Sequence, residues 1–176
     1  MDSALVIPVS LPPRLERERR LHVVVAALGV PAHLTLLYPF IAPDDLTDHD
    51  RRRIASVLSR HAAFDYSLGR IRAWPTVLSL EVQPVAPFAR LVEALVALYP
   101  AWVPYGGSYP YVPHVTLADL HPADSPAVAD PPRLADPRRP LDRRAERAIL
   151  IVQDQAGRWH TRWRFELGLP AAKVSG

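Results

Sequence analysis

The stretch that decides the fold is Pro31-Ala32-His33-Leu34-Thr35-Leu36-Leu37-Tyr38-Pro39-Phe40. Within it, the apolar residues Leu34 and Leu36 alternate with His33 and Thr35, which is the period of a β-strand with one buried face. Because residues i and i+2 of a strand point to the same side, the imidazole of His33 and the hydroxyl of Thr35 project together. The pattern predicts a strand that buries its leucines and presents a His-x-Thr pair.

A second copy of this pattern is Val112-Pro113-His114-Val115-Thr116-Leu117-Ala118. With seven histidines and five threonines in 176 residues, only about 0.2 His-x-Thr triplets are expected by chance. Two are present, each followed by leucine and each with a proline just upstream. A single triplet is weak evidence for a functional site, since a lone strand histidine is usually structural. The presence of two such triplets is what indicates a functional site.

The elements around the two motifs follow one order twice. His114 lies 81 residues after His33, and the expected hairpin turns near Trp74 and Gln155 each lie 41 residues after the preceding motif histidine. The predicted elements are strands over 5–9, 145–153 and 159–167, helices over 14–28 and from Pro87, a helix opened by a Thr47–Asp50 capping box, a hairpin over 64–82 and a loop over 121–140.

This repetition predicts one α+β domain over residues 1–176 with a pseudo-two-fold duplication. The expected architecture is bilobal, with lobes over about 1–84 and 85–176. Antiparallel sheets would line a central cleft, and helices would lie on the outside. Each lobe would then contribute one histidine and one threonine to the cleft.

Composition narrows the classes of function. The chain has no cysteine, which excludes disulfides, thiolate catalysis and cysteine-bound metal. No apolar run approaches the ~20 residues of a membrane span, and Met1-Asp2-Ser3-Ala4 lacks the basic start of a signal peptide. We therefore expect a cytoplasmic protein with no membrane partner. The net charge is +3 and 20 of 21 cationic side chains are arginine, which permits an anionic partner without requiring one.

Two imidazoles that face one site are suited to general acid–base chemistry near neutral pH. The neutral imidazole takes a proton from the attacking hydroxyl or water, and the protonated one gives a proton to the leaving oxygen. Threonine hydroxyls beside them would donate to the non-bridging oxygens of a phosphodiester. This chemistry needs neither metal nor cofactor, and the chain has no His-x-His pair and no acidic residue within two positions of His33.

The doubled His-[apolar]-Thr-[apolar] motif resembles the two-histidine phosphoesterase superfamily, and most of all its 2'-5' RNA ligase and RNA cyclic phosphodiesterase-like branch. The resemblance covers essentially the whole chain. It implies metal-independent cleavage of 2',3'-cyclic phosphates or 2'-5' phosphodiesters by a monomer, with a nucleotide or RNA phosphodiester as substrate. It implies His33 and His114 as the acid–base pair and Thr35 and Thr116 as the phosphate-binding hydroxyls. Which histidine is the base stays open.

The substrate is less defined than the reaction. Relatives that act on RNA often carry a basic residue after the second motif, whereas this chain has Ala118-Asp119, which leaves a small nucleotide or another phosphodiester open beside an RNA end. Tyr105, Tyr109 and Tyr111, which run into the second motif, are candidates for stacking on a base. Arg70 and Arg72, on the strand before the first hairpin turn, could both reach the cleft, and the sequence does not rank them. The alternative function is a non-catalytic nucleotide- or RNA-end-binding module on the same scaffold.

Overall fold

The computed structural model describes residues 1–74, 77–108, 110–119, 137 and 139–169. The elements in this part of the chain are β1 Ser3–Pro8, α1 Pro13–His22, α2 Val24–Ala27, β2 His33–Leu37, α3 Asp48–Leu58, β3 Phe64–Trp74, β4 Val77–Gln83, α4 Ala86–Leu98, β5 His114–Asp119, β6 Leu141–Ala145, β7 Arg147–Gln153 and β8 Trp159–Glu166. Two 3-10 turns lie at Pro43–Asp45 and Pro104–Gly107. Nearly all of the loop predicted over 121–140 lies outside the described residues.

The strands form two four-stranded antiparallel sheets. The strand order is β2-β1-β7-β8 in the first sheet and β5-β4-β3-β6 in the second. Both His-x-Thr strands are therefore edge strands, and β2 and β5 lie beside each other where the two sheets meet. The predicted α+β fold with two antiparallel lobes is confirmed.

One apolar core holds the two sheets together. Leu34 and Leu36 of β2 and Val115 and Leu117 of β5 are fully buried in the same cluster, which joins residues of both sheets. The histidines and threonines between them are only partly buried. Because neighbouring strand residues point to opposite faces, burial of the apolar residues fixes the direction of the polar ones. The alternation predicted for both motifs is present.

The boundary expected near residue 84 does not separate the sheets. Each sheet takes two strands from before that point and two from after it: β1 and β2 join β7 and β8, and β3 and β4 join β5 and β6. Strand pairing therefore links the halves, since β1 pairs with β7 and β3 pairs with β6. Pairing between distant segments therefore decides which strands belong to each sheet, and the lobe bounds of about 1–84 and 85–176 stay a prediction.

The helix expected over 14–28 is interrupted at Val23, which adopts an extended conformation with φ −116° and ψ 111° between α1 and α2. The Val23-Val24-Val25 run favours extended backbone, and the N–H of Val24 donates to a carboxylate oxygen of Asp119 at 3.0 Å. The predicted capping box is present at the start of α3, where Thr47 and Asp50 bond each other's backbone N–H. Across the described ranges, no helix has the length and apolar character needed to cross a bilayer.

The segment that leads from α2 into β2 turns at Gly29, just after the expected end of the helix over 14–28. Its φ is +101°, a conformation that residues with a side chain rarely adopt. A Cβ placed there would lie 2.6 Å from the carbonyl oxygen of Trp159, whose own N–H donates to the Leu28 carbonyl at 2.7 Å. This turn therefore fixes the path of the chain four residues before His33.

We expect Gly29→Ala to lower the free energy of unfolding by more than the ~1–2 kcal/mol of left-handed backbone strain, because the added methyl also meets the backbone of Trp159. Urea unfolding would measure the loss. Gly106→Ala is the matched control, since Gly106 has φ +62° but a Cβ added there would have nothing within 4 Å. Equal losses in the two variants would contradict the role of the Trp159 contact.

Candidate active site

Each motif histidine is anchored by the backbone just before it. The Nδ1 atom of His33 lies 2.8 Å from the carbonyl oxygen of Pro31, and Nδ1 of His114 lies 2.8 Å from the carbonyl oxygen of Val112. A carbonyl oxygen only accepts, so Nδ1 carries the proton and donates in both rings. In the neutral imidazole, Nε2 is then the unprotonated nitrogen that can accept a proton.

The two histidines and two threonines occupy matching places in their sheets. In the first sheet His33 lies opposite Pro8 and Thr35 opposite Val6, and in the second His114 lies opposite Glu81. Ser79 lies opposite Thr116 and is buried. All four motif side chains are on the polar faces of adjacent edge strands, so the structure brings the sequence-predicted residues to one region.

Two small cavities adjoin the motif strands. The first is lined by residues from both motifs together with a charged pair: Arg19, Val23, Val25, Val30, His33, Thr116 and Asp119. The second lies on the side of His114 and includes Arg72 and Glu81, whose Nε and Oε1 atoms are 2.5 Å apart. The histidine of one motif and the threonine of the other therefore share a cavity, as expected of a site built from two related halves.

The pKa of His33 is strongly lowered by its surroundings. This pKa is lowered from its ordinary 6.5 to about 4, mainly by burial and in part by the positive charges of Arg19 and His114. The hydrogen bond to the Pro31 carbonyl acts in the opposite direction. Because the charge of His114 acts on His33, the two imidazoles form an interacting pair that opposes double protonation. His33 is thus held neutral at physiological pH.

Of the three tyrosines considered for stacking, only Tyr111 has a described side chain. It is partly buried against the core, and its hydroxyl donates to the carbonyl oxygen of Thr35 at 3.0 Å. This bond connects the loop before β5 to β2 and so joins the two motif strands. The side chain of Tyr105 and all of Tyr109 lie outside what the structure describes. Base stacking by these residues stays a prediction.

Sequence reasoning missed two charged residues at the cavities and left a third unranked. Arg19 lies four residues after the buried Leu15 on α1, but four arginines within seven residues gave no means to select it. Glu81 becomes a neighbour of His114 only through the β4–β5 register. Arg72, which the sequence placed on the first hairpin, does line the cavity beside His114. Among the described residues, no three histidine or acidic side chains are grouped as metal ligands would be.

A two-lobed α+β protein whose neighbouring edge strands each present a histidine and a threonine is of the two-histidine phosphoesterase class. The chain belongs to the 2'-5' RNA ligase superfamily, whose model matches residues 7–157. This confirms the resemblance seen in the motifs. Membership supports an activity of the phosphodiesterase type. No curated protein sequence matches the chain.

Several solved structures share the fold. The TT0787 protein of Thermus thermophilus has 21% sequence identity and a TM-score of 0.64, covering 97% of this chain and 100% of that one. A protein described as a phosphoesterase has 17% identity and a TM-score of 0.63, covering 95% and 98%. LigT of E. coli, in complex with NADP+, has 18% identity and a TM-score of 0.62, covering 95% and 97%. At these identities the likeness establishes the fold alone.

The low pKa of His33 predicts a pH-dependent stability. Since its folded pKa of about 4 is below the ordinary 6.5, the unfolded chain binds more protons between these values. The free energy of unfolding should therefore fall as pH drops from 6.5 towards 4, by about 2 kcal/mol from this residue between pH 7 and 4.5. Urea titrations at both pH values should show this loss reduced in His33→Asn and retained in His160→Asn, which changes an exposed histidine. Identical losses in wild type and His33→Asn would contradict it.

Proposed function

We propose that the protein is a metal-independent phosphodiesterase that opens 2',3'-cyclic phosphates or cleaves 2'-5' phosphodiester bonds of small nucleotides or RNA ends. The observation that carries this proposal is the pair of equivalently anchored imidazoles. Each donates Nδ1–H to the carbonyl two residues upstream, and the charge of one acts on the other. Two such imidazoles supply both proton transfers that phosphodiester hydrolysis requires.

The electrostatics favour His33 as the general base and His114 as the general acid. The lowered pKa of His33 keeps this imidazole unprotonated. A proton on His114 favours the same neutral form of His33, because the two positive charges would repel each other. Nε2 of His33 takes a proton from water as the water oxygen bonds to phosphorus. The bond from phosphorus to the ribose oxygen breaks, and Nε2–H of His114 protonates that oxygen. His33 then releases its proton to solvent and His114 takes one up, which restores the starting protonation of both imidazoles.

The threonines support the phosphoryl group in this proposal. Thr35 and Thr116 share the polar faces of β2 and β5 with the histidines, and Thr116 lines the cavity that holds His33. Their hydroxyls would donate to non-bridging oxygens, where negative charge increases as the nucleophile adds. Rigid placement on strands makes such donors effective because little reorganisation accompanies the reaction.

A nucleotide is the substrate class that the comparisons support best. E. coli LigT has been crystallised with NADP+, 3'-AMP and ATP, all of which carry a nucleotide. The cavity beside His33 has a volume of about 160 Å³, below the ~300–1,000 Å³ of pockets that enclose drug-sized ligands. We infer that this cavity takes the phosphoryl end of the substrate, while the remainder of the nucleotide or RNA lies along the cleft.

We expect His33→Asn and His114→Asn each to lower kcat by about 10²–10⁴-fold, because each removes one proton transfer. Asparagine retains a donor for the carbonyl two residues upstream while deleting Nε2, which limits structural disturbance. Activity would be measured in EDTA on 2',3'-cyclic mononucleotides and on an oligoribonucleotide ending in a cyclic phosphate. His160→Ala, at an exposed position on β8, is the control and should retain wild-type activity.

The same assay separates the enzyme from the binding module. Turnover that persists in EDTA and is lost in both asparagine variants supports the two-histidine mechanism. Binding of the oligonucleotide without turnover by the wild type, unchanged in both variants, would instead establish the non-catalytic alternative. Turnover that is abolished by EDTA would contradict metal independence.

We expect Thr35→Val and Thr116→Val each to reduce kcat by about 10²-fold, because valine keeps the shape and removes one donor to the charged phosphoryl group. Thr35→Ser and Thr116→Ser should restore most of the rate, since the hydroxyl returns. Thr161→Val on β8 is the control outside the cleft. Unchanged kcat in both valine variants would show that neither hydroxyl contacts the transition state.

A further inference from the structure

An arginine of α1 is buried at the cavity that holds His33. Arg19 is 2% exposed, although arginine is seldom buried unless it is paired. Helix α1 packs against β5, which carries the second motif. This packing places Arg19 on the cavity lining together with His33 and Thr116.

The guanidinium of Arg19 is only partly satisfied. Nη2 donates to the carbonyl oxygen of Val30, and Nε lies 3.7 Å from a carboxylate oxygen of Glu16. Nη1 is buried and has no hydrogen-bond partner among the described residues. A guanidinium carries five N–H donors and keeps its charge at all relevant pH values, so a buried one with a nitrogen unpaired has donors available for a ligand.

Asp119 explains why a cation from another element is needed here. This residue lies three positions after Thr116, the last polar residue of the second motif, and its carboxylate lines the same cavity. One of its oxygens accepts from the N–H of Val24, which fixes the break between α1 and α2. A carboxylate repels a phosphodiester and cannot donate to it. The positive charge that would attract the phosphoryl group must therefore come from a neighbouring element, and α1 supplies Arg19.

We propose that Arg19 is a substrate-binding residue whose guanidinium donates to a non-bridging oxygen of the phosphodiester in the cavity shared by His33 and Thr116. The proposal rests on the phosphodiesterase function and identifies the anionic phosphoryl group as the ligand at this position. Planar guanidinium donors match phosphate oxygens in geometry and in charge. The ligand supplies the acceptor that Nη1 lacks, and its negative charge would stabilise the buried guanidinium in the same direction as Glu16 and Asp119 do.

Arg19 also acts on the histidine beside it. Its positive charge contributes to the lowered pKa of His33, after the larger effect of burial. The same residue would then attract the anion and favour the unprotonated form of the proposed base. The competing interpretation is purely structural, in which Arg19 serves only to hold α1 against the Val30 carbonyl.

The test compares Arg19→Lys and Arg19→Met with Arg20→Met. Arg20 is adjacent on α1, its side chain is 72% exposed, and it also pairs with Glu16, but it does not line the cavity. Two quantities would be measured in the full-length protein: kcat/KM for a 2',3'-cyclic mononucleotide, and the dissociation constant of inorganic phosphate by NMR titration. We expect Arg19→Met to reduce kcat/KM by about 10²-fold and phosphate affinity by about tenfold or more, with Lys intermediate and Arg20→Met unchanged.

Phosphate binding separates the two proposals. If the wild type turns over no nucleotide but binds phosphate through Arg19, the phosphodiesterase function fails and the Arg19 site stands. If phosphate affinity is the same in wild type and folded Arg19 variants, or if the wild type binds no phosphate at tens of millimolar, the Arg19 site is overturned.

A spectroscopic readout covers the case in which Arg19→Met does not fold. The Nε–H resonance of the Arg19 guanidinium can be assigned because it is absent from the spectrum of Arg19→Lys. This resonance should shift as phosphate saturates the wild-type protein. A resonance that does not move at saturation would overturn the proposal, since a purely structural arginine has no contact with the anion.

Discussion

The hydrogen bond from each Nδ1–H to the carbonyl two residues upstream is the interaction on which the site depends. It selects the tautomer and holds the ring, and in the neutral form it leaves Nε2 as the unprotonated nitrogen in both His33 and His114. A backbone carbonyl does this without adding a titrating group, as the carboxylate partner of many catalytic histidines would. The burial of the leucines and valines between the motif residues fixes the strands that carry these carbonyls. Local backbone geometry and core packing thus act together on each imidazole.

The placement of β2 and β5 at sheet edges explains how the two motifs meet. Edge strands usually present unpaired backbone groups that favour association with other chains. Here the two edges lie beside each other, and the hydroxyl of Tyr111 donates to the Thr35 carbonyl across the junction. The open edges therefore form the walls of a cleft. A site assembled at such a junction gains polar strand residues from both sheets while the interior of each sheet remains apolar.

Much of this arrangement could be predicted from local sequence, and the remainder depends on contacts between distant residues. The alternation around His33 and His114 and the Thr47–Asp50 capping box are local patterns, and the structure contains them. The break at Val23 was missed because one of its causes is the carboxylate of Asp119, which binds the Val24 N–H from 95 residues away. Arg19 was missed for a similar reason, since only the packing of α1 on β5 distinguishes it from the arginines beside it. In each case the contact that decides the structure joins residues far apart in the chain, so no local sequence pattern predicts it.

The pairing of strands between the two halves indicates where the duplicated unit begins and ends. A better alignment pairs β1-α1-β2 with β4-α4-β5, because β1 and β4 each lie beside the motif strand that follows them. The repeat then divides within the β3–β4 hairpin. Strand β3 of the first half joins the sheet of β4 and β5, and strands β7 and β8 of the second half join the sheet of β1 and β2. Neither half can form its sheet alone, so the fold and the cleft depend on the same long-range pairing. The relative position of His33 and His114 is consequently set by the global fold, whereas the orientation of each ring is set locally. A mutation in the core between the sheets should therefore alter the distance between the two imidazoles, and a mutation beside a motif should alter the direction of a single ring.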